Sequence, residues 1–117
     1  HQLWKDPQFN WDGRVLGCCR NHWGDFGANA FTEGLEASVN SERMRHARAM
    51  LTGRAPARDD VPCTSCDLYR ELARSRRWIT RAELALPHHA GRRLARHPRL
   101  RRILSRALAL VAPRRAD

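Results

Sequence analysis

The sequence predicts a small α+β fold: one β-hairpin and two or three short helices around a cysteine site, followed by an Arg-rich helical tail. Three observations carry that expectation. Asp12-Gly13 lies between short apolar runs, a local signal for a hairpin turn. Met44, Ala47, Met50 and Leu51 recur at helical spacing. The four cysteines fall as two pairs, Cys18-Cys19 and Cys63-Thr64-Ser65-Cys66, in distant segments.

The elements follow in order. Strands are expected near Gln8–Trp11 and Arg14–Cys18, with Gly17 letting the backbone either come close to whatever Cys18 binds or turn sharply just before it. Residues 20–31 read as a loop in which Gly24 and Gly27 separate Trp23 and Phe26. Thr32 is the expected N-cap of a short helix running to Val39, with Leu35 and Val39 on one face. Asn40 or Ser41 caps a second helix from Glu42 to about Leu51, stopped by Gly53. Arg54–Pro62 is a polar linker, and a third helix begins just past Cys66 with Leu68, Leu72 and Ile79 inward. From Thr80 the composition changes. Pro87 and Pro98 break Arg-rich helical segments, among them Gly91–His97 and Arg99–Val111, the latter with an apolar face of Leu100, Ile103, Leu104, Ala107, Leu108 and Val111. At 117 residues the chain divides into a domain of residues 1–79 and a basic amphipathic helical tail of residues 80–117.

Charge divides the same way. Residues 1–53 balance six basic against six acidic side chains, whereas residues 54–117 carry sixteen arginines against six acids and supply the whole net charge of +10. Such a tail can contact nucleic acid, an anionic membrane surface or an acidic partner. Nucleic acid is the less favoured reading, because residues 80–117 lack aromatics and an Arg-for-Lys bias with abundant Ala also follows from genomic base composition. The favoured reading is a solvated helix packing its Leu/Ile face.

No signal-peptide pattern opens the chain and no long apolar run crosses a membrane, so a cytoplasmic location is expected. In that compartment thiols serve as metal ligands or reactive groups more often than as disulfides. The chain begins without Met and mid-pattern, as a C-terminal piece of a longer protein would.

A Cys-x-x-Cys turn places two thiolates where they can share a metal or an iron–sulfur cluster. Redox motifs share this spacing, but a thioredoxin-like reading needs a βαβ context that is absent. Consecutive Cys18 and Cys19 are awkward joint ligands, so Cys18 is the expected metal ligand beside Cys63 and Cys66, with the fourth elsewhere. His22 is a candidate for that place, although a loop histidine is more often solvated. The bland alternative makes Cys18 and Cys19 small buried hydrophobes. Trp4, Trp11, Trp23 and Phe26 are expected to line the core or cover the site, Asp59-Asp60 to form an exposed linker turn, and His88, His89 and His97 to hold no metal.

The stretch Trp11-Asp12-Gly13-Arg14-Val15-Leu16-Gly17-Cys18-Cys19-Arg20 resembles the hairpin signature of SPASM/twitch domains, the C-terminal auxiliary-cluster domains of radical S-adenosylmethionine enzymes. Gly13 and Cys18 match that family's Gly-x-x-x-x-Cys step, and Cys63 and Cys66 its later Cys-x-x-Cys. Phe26-Gly27-Ala28-Asn29-Ala30-Phe31 resembles its Gly-Asn segment, and Leu35 to Arg48 its helical insert. The resemblance covers roughly residues 3–72. The family's first cysteine is absent, its place falling at or just before His1, and so are its cysteines after Cys66.

The resemblance implies a single auxiliary [4Fe–4S] cluster held by Cys18, Cys63, Cys66 and an upstream cysteine, with Cys19 a neighbour or substitute ligand. It implies support of substrate binding or electron transfer during modification of a peptide or small substrate. The radical-generating Cys-x-x-x-Cys-x-x-Cys motif is not in the chain, so S-adenosylmethionine would be bound only through a preceding radical domain, the implied partner. The alternative from a different class is a zinc-stabilised binding module whose basic tail contacts nucleic acid or an acidic partner. A plain interaction domain with free thiols is the third.

Overall fold

The computed structural model describes residues 2–85 together with Arg99 and Ile103. About half of the described residues are helical, and among them there is no β-strand or sheet. The expected α+β class is therefore corrected to a small helical fold.

The hairpin fails for a local reason. The chain does reverse at Asp12-Gly13, where the Gly13 N–H donates to Asn10 O at 3.0 Å. Pairing beyond the turn lasts one residue: Phe9 bridges Val15 on one side, and Arg14 bridges Asn29 on the other. Leu16 and Gly17 both donate to Gln8 O, at 2.9 and 3.1 Å, so two residues face one and the ladder stops at this bulge. Pro7 offers no N–H with which to resume it.

Helices take the remaining order: α1 Gln2–Lys5, α2 Ala30–Glu33, α3 Leu35–Val39, α4 Glu42–Leu51, a 3₁₀ turn Pro62–Ser65, α5 Asp67–Ser75 and α6 Arg81–Ala85. The helix expected from Thr32 to Val39 is two short ones. Asn29, not Thr32, caps α2 through a 2.8 Å bond accepted from the Phe31 N–H, and Gly34 separates it from α3. That break resets the helical phase and leaves Leu35 62% exposed.

In α4 the Ser41 hydroxyl caps the first turn and Met44, Ala47, Met50 and Leu51 are all buried. They meet Leu3, Val15, Phe26, Val61, Cys63 and Tyr69 in one core, with Trp4, Phe9, Leu72, Trp78 and Ile79 packed against it. In α5 the inward residue is Tyr69, which faces Trp78 at a ring separation of 6.2 Å; Leu68, expected inward, is 45% exposed.

Arg48 ties α1 to α4. Its Nε and Nη2 donate to Leu3 O at 2.8 and 2.7 Å, and Nη1 donates to Asn40 Oδ1 at 3.0 Å. Arg48→Met keeps the aliphatic stem and removes these donors. It is expected to cost about 2 kcal/mol, the scale of hydrogen bonds to a charged group, measured by urea unfolding.

Contacts group the chain into two units, residues 1–79 and 80–117. In the second, Thr80 and Glu83 form a reciprocal cap on α6: the Thr80 N–H donates to Glu83 Oε2 at 2.8 Å, and the Glu83 N–H to Thr80 Oγ1 at 3.3 Å. The expected helical segments Gly91–His97 and Arg99–Val111, and the tail histidines, lie outside the described residues apart from Arg99 and Ile103, which are helical and exposed. No helix among the described residues is long and apolar enough to cross a membrane.

Candidate functional site

The Cys18 loop is shaped by two neighbours. Gly17 has φ +80°, and a Cβ there would lie 2.4 Å from Phe26 Cε2 and 2.7 Å from Leu3 Cδ2. The loop thus packs directly on the core through a position only glycine can fill. Beyond it, the chain turns from Cys18 to Asn21, whose N–H donates to Cys18 O at 3.1 Å. Asn21 is 6% exposed and fully engaged: Nδ2 donates to Leu16 O at 2.7 Å and Gly24 O at 2.8 Å, while Oδ1 accepts from the Gly24 N–H at 3.3 Å. This residue holds the Cys18 loop closed, a role that sequence alone does not mark. The only signal for it was an amide between a cysteine and a glycine.

Cys63 and Cys66 sit on and just after the 3₁₀ turn, where the Cys66 N–H donates to Cys63 O at 3.0 Å and α5 starts at Asp67. Pro62 at the head of the turn gives up an N–H that has no partner to lose there. Thr64 anchors the turn to the linker: its hydroxyl donates to Arg58 O at 2.6 Å and accepts from the Arg58 N–H at 3.2 Å.

The linker is pinned in turn by an ion network. Arg58 reaches Asp60 at 2.6 Å and, through Nη2, Glu42 of α4 at 2.8 Å, and Arg43 of α4 reaches Asp60 at 3.1 Å. Asp59-Asp60 is thus not a uniform solvent turn, since Asp60 is the hub of that network. The Arg58 guanidinium holds the Asp60 carboxyl at about 2, below its ordinary 3.8. A depressed carboxyl adds stability that is present above its unfolded value and lost as the pH falls through the folded one. Asp60→Asn is therefore expected to flatten the acid unfolding curve between about pH 4 and 2 and to leave the neutral side unchanged in slope, followed by circular dichroism.

Two segments far apart in sequence meet here. The Trp23 indole N–H donates to Pro62 O at 3.3 Å, joining the loop after Cys18 to the Cys63–Cys66 turn. Cys63 is buried in the core, Cys18 and Cys66 are partly covered, and Cys19 is exposed with its N–H on Gln2 Oε1 at 3.2 Å. Burial, and then the charge of the neighbouring Cys18 and Cys66, push the Cys63 thiol up to about 12. Those two cysteines are therefore its electrostatic neighbours, and Cys19 is not among the groups acting on it. All four are free thiols. Among the described residues no three His, Cys, Asp or Glu side chains are already gathered as a metal-holding group. The cysteines are neighbours that a metal would have to draw closer.

The remaining aromatics divide. Phe26 is core and Trp4 packs against it, but Trp11 is 87% exposed and covers nothing, contrary to expectation; Trp23 is half exposed. His22 is exposed and meets Trp23 edge-on at 5.4 Å.

No family model, no curated protein and no solved structure matches this chain.

Proposed function

We propose that residues 1–79 form an auxiliary [4Fe–4S] cluster-binding domain in which Cys18, Cys63 and Cys66 supply the protein thiolates. The observation that supports it most is the tie between Trp23 and Pro62, which brings the Cys18 loop against the buried Cys-x-x-Cys turn. Three thiols from two segments form a donor set suited to iron–sulfur or zinc and to few other groups. Burial, and then the charge of the neighbouring thiols, keep Cys63 protonated, and a bound cation offsets both, since coordination displaces the thiol proton.

The cluster, when bound, supplies one-electron chemistry or an open iron to a substrate. The chain's own part is to hold and insulate it. Cys63 anchors from the core side, Asn21 and Thr64 lock the two ligand-bearing turns, and Phe26 closes the inner face behind Gly17.

The resemblance to SPASM/twitch domains extends this proposal: a fourth cysteine and a radical S-adenosylmethionine domain preceding His1, a peptide or small substrate, and a cytoplasmic setting. Metal analysis of protein purified without oxygen tests it. Iron with acid-labile sulfide is the expected result. One zinc per chain and no sulfide would replace the reading with a zinc-stabilised module, and no metal would leave a thiol-bearing interaction domain.

A further inference from the structure

A cleft of about 350 Å³ opens beside the Cys63–Cys66 turn, with Trp23, Asp25, Asp59, Asp60, Ser65 and Arg70 among its lining residues. It is large enough for a small ligand or one long side chain.

Its charges are unequal in availability. Asp25 is occupied by the Gly27 N–H at 2.7 Å and by Arg14 at 3.4 Å. Asp60 is occupied by Arg58 and Arg43, as described above. Arg70 faces Asp67 at 3.6 Å. Asp59 alone has no hydrogen bond or ion pair among the described residues. In the same cleft, the Trp23 ring is held in orientation by its N–H bond to Pro62 O and its edge contact with His22, while half of its surface stays open. An oriented indole and an unpaired carboxylate lining one small cleft are the groups that select an organic cation over an anion or a neutral group.

We propose that this cleft binds an organic cation, the alkylammonium or guanidinium group of a basic side chain or small amine. Asp59 supplies the countercharge and Trp23 the π face. The selectivity runs against the protein as a whole. At a net charge of +10 the long-range field gathers anions, so a preference for cations is a property the cleft alone supplies. The site does not depend on what the cysteines hold.

The test is a titration of the isotope-labelled chain followed by NMR at the Trp23 indole N–H, assigned through Trp23→Phe. The probes are n-butylammonium and methylguanidinium, with butyrate as the anion control. A saturable shift with both cations, a dissociation constant on the order of millimolar and no response to butyrate are expected. Asp59→Asn should weaken binding about fivefold and leave the thermal midpoint unchanged, since the side chain is exposed and has no partner among the described residues. Trp23→Leu should weaken it similarly; if that variant fails to fold, Asp59→Asn decides alone. No saturable shift, equal binding of butyrate, or wild-type affinity in Asp59→Asn would overturn the proposal. The readout follows Trp23 and not metal content, so its failure is separate from failure of the cluster assignment.

Discussion

Gly17→Ala is expected to destabilise the domain by about 3 kcal/mol, a large share of the roughly 5–15 kcal/mol that holds a domain of this size. Two costs add. A left-handed backbone at φ +80° costs a side-chain-bearing residue about 1–2 kcal/mol. The new methyl also lands inside Phe26 and Leu3, which are 2% and 3% exposed and cannot give way, adding about 1–3 kcal/mol of overpacking. Gly34 separates the two effects. It has φ +81° but nothing within 4 Å of an added Cβ, so Gly34→Ala should show the backbone cost alone. Thermal unfolding should place Gly17→Ala at least about 10 °C below the wild type, with Gly34→Ala between them. Equal midpoints for the two variants would mean that the Gly17 turn does not pack on Phe26 and Leu3 as described.

Cys63→Ser is expected to remove most bound metal, lowering affinity roughly tenfold or more, because even second-sphere changes at metal sites cost that much. Cys63 is the buried member of the three, so it is the ligand least replaceable by water. Cys19→Ser should keep its metal: that thiol is exposed and not among the groups acting on Cys63. Cys18→Ser, at a partly covered position outside the core, guards against misreading a folding defect as ligand loss. Metal per chain, measured on each variant beside its circular dichroism, checks the order. Loss in Cys19→Ser with retention in Cys63→Ser would reverse the assignment.

The contrast between α4 and the first turn shows what the sequence carries. In α4, Ser41 followed by apolar residues at helical spacing specifies start, length and buried face together, and every one of Met44, Ala47, Met50 and Leu51 is inside. Asp12-Gly13 specifies a reversal but not the length of pairing that follows, and the two-to-one facing of Leu16 and Gly17 against Gln8 depends on distant packing. In α5 the anchor at Leu68 and Leu72 fits a helix as well as Tyr69, Leu72 and Ala73 do. The choice falls to Tyr69 because Trp78, beyond the helix, is there to meet it. Trp11 is as apolar as Trp4, and only the fold distinguishes exposed from packed.

The candidate site was legible as spacing and not as mechanics. Cys18, Cys63 and Cys66 stand out by residue type. That Cys63 belongs to the hydrophobic core, that Asn21 locks the Cys18 loop, and that Trp23 bridges to Pro62 are consequences of tertiary contacts between distant segments. Asp60 likewise owes its role to Arg58 and Arg43, neither of which marks it in the sequence.

The claim on which the functional reading rests is that Cys18, Cys63 and Cys66 bind one common iron–sulfur centre. X-ray absorption at the metal edge, on protein purified without oxygen, tests it most directly. A shell of sulfur ligands with an iron–iron distance beyond it, reduced in Cys63→Ser and intact in Cys19→Ser, is the predicted result. Nitrogen or oxygen ligands without an iron neighbour, or a spectrum indifferent to Cys63, would contradict it.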